Sequence, residues 1–183
     1  FFIEGSNIYN YRVTNGGGFF GLDNLFYSRR IGRKPHYEAD LEENEYADIP
    51  ERTRILGALK LSGKTNNGWS VGVMESVTGK ENSLIDNDGQ QTKVIAEPVT
   101  NFFNTRIQKD INKGNTTIGG MVTATNRFIN DSTLNFLPDA EYTQGIDFQT
   151  FWKDKAYNLS IRTVVSQVYG STASITELQK APQ

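Results

Sequence analysis

The chain has no cysteine, one histidine and five prolines in 183 residues. Without cysteine there is neither a disulfide framework nor thiol chemistry. A single imidazole, His36, argues against a zinc site. No apolar run approaches the roughly 20 residues that a membrane-spanning helix needs. That excludes helical spans and leaves β-barrels open, because barrel strands are only half apolar. Charge of one sign is missing too: 19 Lys and Arg against 21 Asp and Glu give a net charge of -2. There is no basic bias towards nucleic acid, and none is expected as a partner. The chain begins at "FFIEG" without an initiator Met, which reads as a cut chain, so the lack of a targeting segment is uninformative.

Catalytic signatures are also missing. There is no GxSxG motif, and "NGGGFFG" (15–21) lacks the Lys and the following helix of a phosphate-binding loop. Carboxylate pairs cannot be assigned without distances. The acidic run "EADLEENEYAD" (38–48) and the "DNDG" stretch (86–89) have no EF-hand spacing and read as a solvated loop and a loop-tip turn. The expectation is a protein that is not an enzyme, with no cofactor and no metal.

What is present is glycine and aromatic side chains: 17 Gly, 11 Phe and 8 Tyr favour an all-β chain. From about residue 53 a hairpin pattern repeats three times. The first, 52–64 and 69–79, turns at "TNNG", where Asn67-Gly68 offers the positive φ angles of a two-residue turn. The second, 99–111 and 116–128, turns at "NKGN", and the third, 142–153 and 156–170, at "KDK". All six stretches alternate with period 2 and none carries a helical stripe. Turns inside hairpins are short, whereas the links 80–98 and 129–141 are long and polar. Outer-membrane barrels have this asymmetry, with short periplasmic turns and longer external loops. Strands of 10–14 residues also exceed the usual five or six and suit a tilted crossing of a bilayer.

One register collects Ile55, Leu59, Leu61, Val71, Val73, Ile118, Val122, Ala124, Ile146, Phe148, Leu159, Ile161 and Val165. The other carries Lys60, Arg127, Asp147 and Arg162 among Ser62, Ser70, Thr123, Thr125, Ser160 and Ser166. This is apolar-out, polar-in alternation, with the four charged residues expected to face a lumen. Glu75 breaks the rule on the apolar register, where a bulge near Met74 or proximity to the rim can relieve it. Asn101 shares the apolar register of its own strand. On that register Trp69, Trp152 and Tyr157 flank the short turns, and Phe128, Tyr142 and Tyr169 flank the long links. Such rings at both strand ends describe two membrane-interface girdles; ordinary core aromatics of a sandwich are the competing explanation.

The inward register is rich in small residues, including Gly72 and Gly119, which leave room for water or for a plug from elsewhere in the chain. Residues 1–52 form the candidate entry or plug-like segment, and residues 53–183 the hairpins. Within the first segment, "NLFYSRRIGRKP" (24–35) reads as a candidate first strand over about 24–33, ending in the basic cluster Arg29, Arg30, Arg33 and Lys34. That cluster can contact an anion or a sugar acid, or pair with the neighbouring acidic run.

Four phrases, "FFIEG", "LFYSRRIGR" (25–33), "TRILGALKLSGKTNNGWSVGV" (53–73) and "RIQKDINKGNTTIGGMVTATNR" (106–127), resemble a Bacteroidota family. Its members carry an N-terminal β-sandwich similar to a carbohydrate-binding module of the family-nine type, followed by a large outer-membrane barrel domain of unknown function. The resemblance implies that residue 1 lies just after the sandwich and that Gln183 falls before the barrel ends. It carries no catalytic residues over. Six clear strands are too few to close a bacterial barrel, whose usual minimum is eight.

The expected fold is therefore all-β, an antiparallel up-and-down meander forming part of a transmembrane outer-membrane β-barrel in a Gram-negative bacterium. The expected role is a channel, transport component or scaffold of a larger outer-membrane complex. Its partners would be outer-membrane lipid, other outer-membrane proteins and, through the missing N-terminal domain, glycan. The alternative is a soluble β-sheet carbohydrate-binding module using exposed aromatics such as Trp69 and Trp152.

Overall fold

The computed structural model describes residues 7–13 and 24–180. The "NGGGFFG" stretch and the opening "FFIEG" lie outside the described residues. The chain is all-β, its described residues forming two antiparallel sheets and one α-helix. Strands run β1 (Glu45–Asp48), β2 (Ile55–Lys64), β3 (Trp69–Thr78), β4 (Glu81–Asn87), β5 (Gln90–Glu97), β6 (Val99–Ile111), β7 (Thr116–Phe128), β8 (Ala140–Trp152) and β9 (Tyr157–Tyr169), before α1 (Thr172–Lys180). The larger sheet is a six-stranded meander in the order β2-β3-β6-β7-β8-β9. Its edges, β2 and β9, do not pair with each other, so the sheet is open rather than closed into a barrel.

Three expectations are corrected. The link 80–98 is not an irregular connection: β4 and β5 form a hairpin that joins β1 in a separate three-stranded sheet. Its turn is made by Asp88 and Gly89, both at positive φ, which matches the right-handed twist of the flanking strands. Asp86 Oδ1 accepts from the Gly89 N–H at 3.0 Å and closes that turn. The acidic run consequently ends in a strand, with Glu45 opposite Asn87 and Asp48 opposite Leu84.

The stretch 24–33 is not a strand. Ser28–Arg30 forms a 3-10 turn, and Gly32 at φ +74° takes a conformation that an extended L-residue cannot continue through. Burial decides this local choice, because Ile31 packs against Tyr9 and Met74. The 65–68 turn also differs from a two-residue type. Four residues separate β2 from β3, and of the Asn67-Gly68 pair only Gly68 is left-handed. A Cβ there would lie 2.8 Å from the Asp110 carbonyl oxygen, so only glycine fits without a shift.

Pairing across the meander is continuous, with one irregularity between Ile55 and Gly57. One row runs Leu61–Val73–Thr105–Val122–Gln144–Val165 across all six strands. Because side chains alternate between faces, this row and its equivalents place the apolar register on one face. That face is uncovered: Leu59 is 67% exposed, Ile146 65% and Val165 61%. The opposite face is where burial occurs, with Met74, Met121, Asn104 and Arg106 all nearly inaccessible. No helix among the described residues is long and apolar enough to cross a membrane, which says nothing of strands.

Candidate functional site

The buried face of the meander is covered by residues from the N-terminal segment. Tyr9 lies over Gly72 and Tyr11 over Gly145, each ring occupying the space a Cβ would need: a Cβ at Gly72 would lie 2.9 Å from the Tyr9 ring and one at Gly145 2.7 Å from the Tyr11 ring. Tyr9 donates its hydroxyl hydrogen towards Leu61 O at 2.8 Å, with Val73 O at 3.0 Å. Tyr11 does the same towards Ile146 O at 2.8 Å, with Thr163 O at 3.0 Å. Each pair of carbonyls belongs to directly opposed residues of neighbouring strands. Burial withdraws both phenols from water and raises their pKa above 10.0, and for Tyr11 the nearby Asp147 carboxylate pushes in the same direction.

Among the four charges expected to face inward, Asp147 forms a bidentate pair with Arg106, through Nη1–Oδ1 and through Nη2–Oδ2 at 2.9 Å. The Arg106 guanidinium lies over Gly119, where a Cβ would come within 2.7 Å of Nη1. It also faces the Tyr11 ring with Cζ at 5.2 Å from the centroid. Arg162 stands opposite Asp147 in the β8–β9 register. Lys60 places Nζ 5.3 Å from the Tyr9 ring centre. Arg127, at the end of the face near the long connections, pairs with Glu141 at 2.8 Å and donates to Pro138 O at 3.0 Å. Sequence reasoning missed Arg106, although its position on the inward register between Thr105 and Ile107 was a usable signal. It also missed Gly145, which stands beside Met121 in the register.

A cavity of about 330 Å³ opens at the Arg127 end. Its floor is the inward face, with Phe102, Thr123, Thr125, Arg127 and Glu141, and its cover comes from Phe26, Tyr27, Arg30, Ile31, Arg33 and His36. His36 is held there by Glu97, whose carboxylate accepts from the His36 N–H at 2.8 Å and lies 2.7 Å from Nδ1. Of the basic cluster, Arg30 and Arg33 reach this cavity. Arg29 instead stands over the Tyr27 ring at 6.0 Å, and Arg33 also donates from Nε to Lys34 O at 3.3 Å. No ion pair among the described residues joins Arg29, Arg30, Arg33 or Lys34 to the acidic run. No group of three or more metal-ligating side chains converges among the described residues.

The six ring residues all stand on the exposed face. Trp152 and Tyr157 stack at 5.7 Å with 14° between planes, beside a short turn. At the other end Tyr142 and Tyr169 meet edge to face at 5.9 Å. Trp69 carries Lys109 Nζ 5.0 Å from its ring, and Phe128 is open. Glu75, also on this face, sits in an unbroken register opposite Leu59 and Phe103, without the expected bulge at Met74.

These features define an all-β protein with one open apolar face and one polar face threaded by its own N-terminal segment. The chain belongs to the family described as a domain of unknown function (DUF5916), whose model matches residues 1–180. No curated protein and no solved structure matches it.

Proposed function

We propose that this chain is a segment of an outer-membrane β-barrel of a Gram-negative bacterium, acting as a channel, transport component or scaffold in a larger outer-membrane complex. The observation that carries the reading is the exposed apolar face of the six-stranded meander, bordered by aromatic pairs at both strand ends. An open apolar surface of this extent is unfavourable in water and calls for lipid or a partner. Aliphatic centres between aromatic ends match the two interfaces of a bilayer. On this reading the short turns are periplasmic, the β1-β4-β5 sheet and the cavity mouth are external, and the role is non-enzymatic. The resemblance to a Bacteroidota family supports it.

Spin labels at Val71, Ile161 and Ser160 test the assignment. The first two are expected to be accessible to oxygen dissolved in lipid and shielded from a water-soluble relaxant, and Ser160 the reverse. Equal water accessibility at all three sites would sink it. A second reading, a soluble carbohydrate-binding sheet, is favoured by the exposed Trp152–Tyr157 stack, on which a sugar ring can lie. It requires the full-length protein to stay in the aqueous phase without detergent.

A further inference from the structure

We propose that the cavity between the inward face and residues 26–36 is a binding site for a small hydroxylated carboxylate of about the size of one sugar acid. The proposal goes beyond the barrel reading and does not depend on what the outer face meets. Its volume, about 330 Å³, is at the small end of ligand pockets and holds a single ring rather than a chain.

The charge inside selects an anion. Among the described residues, Arg30, Arg33 and Arg127 line the cavity against two carboxylates, Glu97 and Glu141. The three arginines outnumber the two carboxylates, so the lining favours an anion. Arg127 supplies the buried donor. Its side chain is 9% exposed, and Nη1 is committed to Glu141 and Pro138. Nε is buried without a partner among the described residues. A buried guanidinium with donors unspent is costly unless something accepts from it. The two exposed arginines at the rim, Arg30 and Arg33, add a sequence-local signal that the "SRRIGR" stretch already carried.

The remaining walls select a polyol body. Thr123 and Thr125 line the cavity, and each brings one hydroxyl to that part of the sheet. Phe26, Tyr27 and Phe102 supply apolar surface for the C–H face of a ring.

Calorimetric titration of the full-length protein tests this with glucuronate, glucose and inorganic phosphate as probes. Saturable binding of glucuronate is expected, at least tenfold tighter than glucose or phosphate. Arg30→Gln, at the exposed rim and outside the ion pairs among the described residues, is expected to weaken glucuronate at least fivefold with an unchanged β-sheet circular dichroism signal. Thr125→Val, a near-isosteric change, is expected to weaken glucuronate severalfold. The proposal is overturned by no saturable glucuronate binding, by glucose binding as tightly, by phosphate binding more tightly, or by both variants binding like the parent protein.

Discussion

Tyr9 and Tyr11, two residues apart, fasten opposite ends of one sheet: Tyr9 reaches the β2–β3 seam and Tyr11 the β8–β9 seam. Four strand spacings separate the seams, roughly 19 Å along the sheet. Each hydroxyl meets backbone carbonyls, so the clasp reads strand geometry and not side-chain identity. A net contribution of about 1 kcal/mol is expected for such a hydrogen bond. Tyr11→Phe is therefore expected to lower stability by about that amount. It should also speed hydrogen exchange at the Tyr11 N–H, which donates to Asn24 Oδ1 at 3.0 Å. Unchanged exchange in Tyr11→Phe would show that the segment is held by ring packing alone.

The same phenols set an alkaline limit on the clasp. Their pKa values are raised above 10.0 by burial, so the fold favours the protonated forms. The stability they contribute is complete below the ordinary tyrosine pKa and is lost as pH rises through the folded-state values. An absorbance titration is expected to show two phenols ionising later than free tyrosine, and both late steps should vanish in Tyr9→Phe/Tyr11→Phe. Retention of late-ionising phenols in that double variant would assign the effect to other tyrosines.

Glycines on the two faces should respond differently to alanine. A Cβ at Gly145 would meet Tyr11 Cζ at 2.7 Å and Leu25 Cδ1 at 2.9 Å, whereas Gly57 and Gly63 have nothing within 4 Å. Gly145→Ala is expected to cost about 1–3 kcal/mol through overpacking. Gly57→Ala and Gly63→Ala are expected to stay within about 0.5 kcal/mol, as surface changes usually do. Thermal unfolding of the three variants checks this, and a neutral Gly145→Ala would show that the Tyr11 ring can leave the face at little cost.

Much of the meander could be read from period-2 alternation, because each strand keeps one face apolar and one polar. Val71, Ile146 and Ile161 were assigned a face by parity alone, and the register places them on it. The β4–β5 hairpin escaped because Glu81, Ser83 and Glu97, all buried, are polar and mimic a solvated link. Its Asp88-Gly89 pair was nevertheless a strong two-residue turn signal. The cavity could not be read at all, since it joins Arg30 and His36 to Arg127 and Glu141 across about a hundred residues of chain. Nothing local in sequence encodes such a meeting.

The pair at the centre of the polar face should be the most sensitive to charge removal. Arg106 is 3% exposed and relies on Asp147 for a bidentate partner. Asp147→Asn leaves a buried guanidinium without its counter-charge, a change expected to cost about 3–5 kcal/mol. Replacing both residues, as in Arg106→Met/Asp147→Asn, should recover part of that loss because the uncompensated charge is gone. Denaturant unfolding of the single and double variants measures the difference. A double variant less stable than Asp147→Asn would contradict the account.

Glu75 and Asn101, both polar residues on the apolar face, find each other: Asn101 Nδ2 donates to Glu75 Oε1 at 3.1 Å. That contact separates lipid from water as the surroundings of the face. In water the pair is an exposed polar contact, and Asn101→Ala should change stability by no more than about 0.5 kcal/mol. Against hydrocarbon the carboxylate loses its donor and has no water to replace it, so the same substitution should cost about 1–3 kcal/mol. Glu75→Leu should then stabilise the protein in bilayers and leave Asn101 as the lesser burden. Unfolding the parent and both variants from lipid vesicles and from detergent-free buffer distinguishes the cases. If Asn101→Ala is neutral and Glu75→Leu lowers stability in vesicles, the apolar face does not meet lipid at this height.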